Sequence, residues 1–99
     1  MELQMDINGE DLNIAISGKL NTISAMDLDE KLNALPAQVK NIYFDLEGLY
    51  YIASAGLRIL YWAQDYTSER NGETKLKNVS PEVLDVLTIT GLKEFITIE

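Results

Sequence analysis

The hydroxyl of Ser54 is the side chain whose type and setting most invite chemistry in this sequence. It follows the apolar run Leu49-Tyr50-Tyr51-Ile52-Ala53 and precedes Ala55-Gly56, after which apolar residues recur with helical spacing. A serine at a helix start has two uses. Its oxygen can accept a backbone N–H of the first turn, which stabilises a helix by about 1 kcal/mol. The same place offers unpaired N–H groups and the positive end of the helix dipole, so a phosphate there is tolerated locally. Small neighbours such as Ala55 and Gly56 let a large group approach the backbone. A third use, as an acyl nucleophile, fails for want of a base. The chain has no His and no Cys, and the nearest cation, Arg58, stays protonated.

The composition narrows the field further. With 99 residues, one domain spanning 1–99 is expected. Without Cys there is no disulfide framework or thiolate metal site, and without His no catalytic triad or HExxH zinc motif. No metal and no cofactor are expected. Asp27, Asp29 and Glu30 form the densest acidic cluster but lack calcium-loop spacing, so a solvated helix face accounts for them. Sixteen Asp/Glu against eight Lys/Arg leave a net charge of −8, which argues against nucleic acid and anionic lipid as partners. That charge suits either a basic protein surface with rapid, salt-sensitive encounter, or solvation and solubility alone. No apolar run approaches a membrane span of about 20 residues, and nothing at the start reads as a secretion leader. A cytoplasmic protein, monomeric or weakly dimeric, is the expectation.

Ser54 must be held by the elements around it. Leu3, Met5 and Ile7, then Leu12, Ile14 and Ile16, alternate with period two around Asn8-Gly9. The pattern predicts an antiparallel hairpin with strands over 2–7 and 11–17. Leu28, Leu32 and Leu35 lie on one helical stripe, predicting a helix over 25–34. Ser24 is its expected cap, Ile23 and Leu28 a hydrophobic staple, and Pro36 its stop. The nearly continuous apolar run 42–46 reads as a central strand covered on both faces, with a buried helix segment as the alternative that periodicity leaves open. A second helix is expected over 55–69 with Leu57, Leu60, Ala63 and Tyr66/Thr67 inward, closed by Asn71-Gly72. Residues 74–79 read as a strand, Ser80-Pro81-Glu82 open a third helix, Gly91 ends it, and 95–98 form a last short strand. The order β-β-α-β-α-β-α-β specifies an α/β domain: a mostly parallel sheet with an N-terminal antiparallel hairpin.

In such a sheet, sites gather where strand ends feed helices, here in the loops 18–23, 47–56 and 78–81. The middle loop is unusually apolar. Leu49 and Ile52 are expected to tuck beneath the helices, leaving at least one of Tyr50 and Tyr51 at the surface, where interfaces favour aromatics. Asp45 can either reach the Ser54 loop or cap a neighbouring backbone group.

The stretch Leu46-Glu47-Gly48-Leu49-Tyr50-Tyr51-Ile52-Ala53-Ser54-Ala55-Gly56-Leu57 resembles the signature of STAS domains, the anti-sigma factor antagonists. Gly18-Lys19-Leu20-Asn21 and Ser80-Pro81…Gly91-Leu92…Phe95 extend the resemblance over nearly the whole chain. It implies a partner switch. The unmodified protein would bind an anti-sigma factor that is also a serine-protein kinase; the kinase would phosphorylate a serine at the second helix, here Ser54; a serine phosphatase would reset it. The resemblance, read with the loops above, gives a docking surface of Asn21, Thr22, Leu49, Tyr50, Tyr51, Ala53, Ala55, Gly56 and Arg58. Two positions depart from the family pattern: Ala53 and Asn21 stand where it has aspartate, removing negative charge beside Ser54. The alternative they leave open is an adaptor module that binds a signalling or transporter partner without phosphorylation.

Overall fold

The computed structural model describes all 99 residues. The chain opens with a hairpin of β1 (Glu2–Asn8) and β2 (Asp11–Leu20). Its turn is Gly9-Glu10, one residue beyond the Asn8-Gly9 pair, and Gly9 takes φ +63°. A positive angle on the first central residue alone is the sign pattern of a type II′ turn, which suits the twist of paired strands.

Then follow α1 (Thr22–Leu32), β3 (Asn41–Asp45), β4 (Leu49–Ile52), α2 (Ser54–Glu69), β5 (Thr74–Lys77) and α3 (Pro81–Ile89). A single 3₁₀ turn, Leu92–Glu94, leads to β6 (Thr97–Ile98). The sheet runs β1-β2-β3-β5-β6, with β1 antiparallel to β2 and the remaining pairs parallel. The expected hairpin and crossovers are all present. The fourth strand, β4, lies in what the sequence presented as an apolar loop, and it pairs with the far end of β2.

Alternation along the strands places one apolar face against the helices. Leu12, Ile14 and Ile16 of β2, Ile42 and Phe44 of β3 and Leu76 of β5 are at most 1% exposed. They join Ala25, Leu28 and Leu32 of α1, Ile59, Leu60 and Ala63 of α2, and Val83 and Leu87 of α3 in one core. The helices cover one face only. On the other side Asn13, Ala15, Tyr43, Asp45 and Lys77 line shallow, polar depressions. This corrects the reading of β3 as covered on both faces: Tyr43 turns its ring outward and donates its hydroxyl to Glu73 Oε2 at 2.7 Å.

The helix starts also differ from expectation. α1 begins at Thr22, capped by Asn21 rather than Ser24. Asn21 Oδ1 accepts from the Ser24 N–H and Ser24 Oγ from the Asn21 N–H, both at 2.9 Å. Asparagine caps as well as serine, and the reciprocal box satisfies two donors where Ser24 alone would satisfy one. With the start three residues earlier, Ile23 leaves the staple position and is 79% exposed. The cap of α3 is as expected: Ser80 Oγ accepts from Val83 N–H and donates to the Leu49 carbonyl at 3.0 Å, fastening α3 to β4. Asn71-Gly72 closes α2 as expected, with Asn71 left-handed (φ 58°) and the Gly72 N–H donating to the Thr67 carbonyl at 2.8 Å.

Candidate functional site

The site forms where β2 and β4 end side by side. Gly18, at φ +88°, donates its N–H to the Gly48 carbonyl at 2.8 Å, and the pairing shifts register there. Gly48 must be glycine for this approach, since a Cβ would meet Ser17 Cβ at 2.5 Å. Two residues on, Ala53 N–H donates to the Leu20 carbonyl at 2.9 Å. The next residues, Asn21-Thr22 and Ser54-Ala55, turn into α1 and α2, so both helices present their N-terminal turns at the same end of the sheet.

Ser54 is the first residue of α2, exposed, and its hydroxyl has no hydrogen-bond partner in the chain. The expected capping role falls instead on Ala53 (φ −89°, ψ 171°), which has no side chain to perform it. The Ala53 carbonyl accepts the N–H groups of Gly56 and Leu57, at 2.9 and 3.1 Å. The amides of Ser54 and Ala55 are left without an intramolecular acceptor.

Around the serine, Tyr50 and Tyr51 are 56% and 48% exposed, while Leu49 and Ile52 are buried. The pairing skips Tyr50, since Gly18 faces Leu49 and Lys19 faces Tyr51, and this bulge breaks the alternation that would turn one of the two tyrosines inward. Thr22 and Arg58 are exposed, and Ala53 and Ala55 are half-buried. Two of the expected docking residues need correction. Leu49 lies in the core at 1% exposure and touches no outside surface. Gly56 faces inward too: a Cβ there would meet Ile52 and Leu20 side chains at 2.8 Å, so its smallness serves helix–strand packing. Asn21 is exposed as expected, and its side-chain oxygen caps α1.

Sequence reasoning missed the wall beside the serine. Thr22, Ala25, Met26 and Asp29 of α1 face Ala55, Arg58, Ile59 and Trp62 of α2 across a groove of about 330 Å³. Met26 on its rim is 69% exposed. The signal was Met26, an apolar residue off the Leu28/Leu32 stripe, while Thr22 fell outside the expected helix.

Asp45 does not join the site. Its Oδ1 accepts from Asn78 Nδ2 at 3.0 Å and from Glu47 N–H at 3.2 Å, fixing the turn that leads into β4. The Asn78 amide, helped by the Glu47 amide, holds the Asp45 carboxyl below the usual aspartate range against an opposing desolvation.

A sequence profile of the STAS domain matches residues 2–99. This chain belongs to the STAS domain family. Among its relatives, the anti-sigma-B factor antagonist of Bacillus subtilis (strain 168) is 31% identical over 100 residues, 99% of this chain and 92% of that protein. The STAS fold is equally plain in solved structures. The unphosphorylated anti-sigma factor antagonist SpoIIAA superposes with a TM-score of 0.86 at 23% identity, covering 99% of this chain and 88% of that one. The phosphorylated form of the Bacillus cell fate determinant SpoIIAA superposes with a TM-score of 0.79 at 21% identity, over 99% and 91% of the two chains. Against that STAS framework, no group of three or more carboxylates here could hold a metal ion, and no helix is long and apolar enough to cross a membrane.

Proposed function

We propose that this STAS domain is an anti-sigma factor antagonist, a binding protein rather than an enzyme, working in the cytoplasm as a partner switch. In its unmodified state it docks an anti-sigma factor that is also a serine kinase, through Thr22, Tyr50, Tyr51, Ser54 and the adjoining α1–α2 groove. The kinase transfers a phosphoryl group to Ser54: Oγ attacks the γ-phosphorus of ATP, the bond to the β–γ bridging oxygen breaks, ADP leaves, and the hydroxyl proton passes to a base of the kinase. A serine phosphatase reverses the modification.

The observation that carries this reading is the exposed, unpartnered Ser54 hydroxyl on the first turn of α2. It sits in a chain 31% identical, over 99% of its length, to an anti-sigma-B factor antagonist. The switch has enough energy behind it. A phosphate adds about −1.5 to −2 charges, and forcing it into a dry interface at a cost of about 4 kcal/mol turns a nanomolar complex into a micromolar one.

A second reading, an adaptor that binds without being phosphorylated, draws support from Ala53, which places no carboxylate at the cap of α2. Binding of the partner to Ser54→Ala and Ser54→Asp separates the two. A switch requires the aspartate variant to bind far more weakly than the alanine variant, whereas equal binding favours the adaptor.

A further inference from the structure

We infer that Arg58 is the internal receiver of the Ser54 phosphate, so that phosphorylation both adds an anion and draws a cation out of the α1–α2 groove. The inference rests on the reading of Ser54 as phosphoryl acceptor, and deepens it.

Ser54 and Arg58 are four residues apart on α2, a spacing that puts their side chains on one face with Cβ atoms about 6 Å apart. The anion stands N-terminal to the cation, the favourable orientation for such a pair. Arg58 is also free to move. It is exposed and makes neither a hydrogen bond nor an ion pair, in a protein with twice as many acids as bases. The other arginine is fully engaged: Arg70 donates to the Tyr66 carbonyl at 2.9 Å and lies 3.6 Å over the Tyr66 ring. Lys31, Lys40 and Lys75 are likewise paired with carboxylates.

Ala53 and Asn21 bring no negative charge. Lys19 on β2 has Tyr51 as its strand partner, and Asp29 lines the groove opposite Arg58 without forming an ion pair with it. A guanidinium fork matches two phosphate oxygens at once, a geometry no lysine reproduces. With serine unmodified, Arg58 forms part of the groove wall beside Ala55 and Trp62. Once turned toward the phosphate it no longer offers its charge to a partner seated there.

The test uses the full chain with phosphoserine genetically encoded at position 54, so that no kinase is needed, and follows the phosphate by ³¹P NMR as pH is raised. The second ionisation should fall lower in the protein with Arg58 than in Arg58→Gln by about 0.2–0.7 pH unit, the range of an exposed ion pair. Arg58→Lys should recover only part of the difference, and high salt should shrink it. Superimposable titrations of the Arg58 and Arg58→Gln proteins would overturn the inference. Failure of a kinase to modify Ser54 would instead count against the proposed function and leave this result standing.

Discussion

Ala53 and Leu20 share one backbone hydrogen bond, N–H to carbonyl at 2.9 Å, and it sets the starts of α1 and α2 side by side. Immediately beyond it the two helices are treated differently. α1 is closed by the reciprocal Asn21–Ser24 cap, whereas α2 has at its cap position an alanine that leaves the Ser54 and Ala55 amides open. The end of the molecule that carries Ser54 is therefore a helix terminus held in place by its strand and left unsatisfied by its own side chains.

That asymmetry predicts the effect of Ala53→Asp. Ala53 already has the extended φ and ψ of a cap residue, so an aspartate oxygen can accept a first-turn N–H without moving the backbone. The variant should gain about 1 kcal/mol, seen as a rise of about 4–8 °C in melting temperature for a domain of this size. An unchanged or lower melting temperature would show that the terminus is satisfied in some other way.

The expected docking residues divide by burial, and mutation should expose the division. Leu49→Ala empties core volume and should cost about 2–5 kcal/mol in urea unfolding. Tyr50→Ala and Tyr51→Ala should leave stability nearly unchanged, and at least one should weaken partner binding about tenfold or more, as interface aromatics do. Loss of stability on truncating the tyrosines, with affinity intact, would contradict this division.

Glycines should rank by what surrounds them. A Cβ on Gly72 would run into the Lys40 backbone carbonyl, which cannot step aside, so Gly72→Ala should cost about 3 kcal/mol. Gly9 has open space around it but a φ of +63°, and Gly9→Ala should cost only about 1 kcal/mol. Urea midpoints report both, and the reverse order would be inconsistent with the packing of the Lys40 turn.

On the open face of the sheet, the hydrogen bond from Tyr43 to the Glu73 carboxylate, with lesser desolvation and charge effects, pushes the phenol up to about 12. A group whose folded pKa is raised stabilises the fold below its unfolded value, about 10 for tyrosine, and that contribution fades as pH climbs through the folded value. Of the five tyrosines, Tyr43 should therefore ionise late in a phenolate absorbance titration. Glu73→Gln should move that step back toward the ordinary range, and a step unmoved by the substitution would refute the assignment.

Much of the architecture was legible in the sequence because its signals were redundant. The hairpin showed in two alternating runs joined at a glycine, and α3 in a serine cap followed by proline and an acid. The misses have local causes. β4 was invisible because only Leu49 and Ile52 of its four residues are buried, so it lacks the alternation that marked β1 and β2. Ser54 passed for a cap because serine usually is one; which residue leaves the strand is decided by the Ala53–Leu20 bond, a contact between segments more than thirty residues apart. Tyr43 misled because a tyrosine can be apolar in body yet send its hydroxyl to a neighbour at the surface. The groove beside Arg58 depends on where α1 starts, and a shift of three residues was enough to conceal it.

The central claim is that Ser54 is the residue whose modification changes what this surface can hold. Incubation with its cognate kinase and ATP, followed by intact mass measurement, tests it most directly. The account predicts one added phosphoryl group in the wild-type chain and none in Ser54→Ala. An unmodified wild-type chain in the presence of active kinase, or an addition that persists in Ser54→Ala, would contradict it.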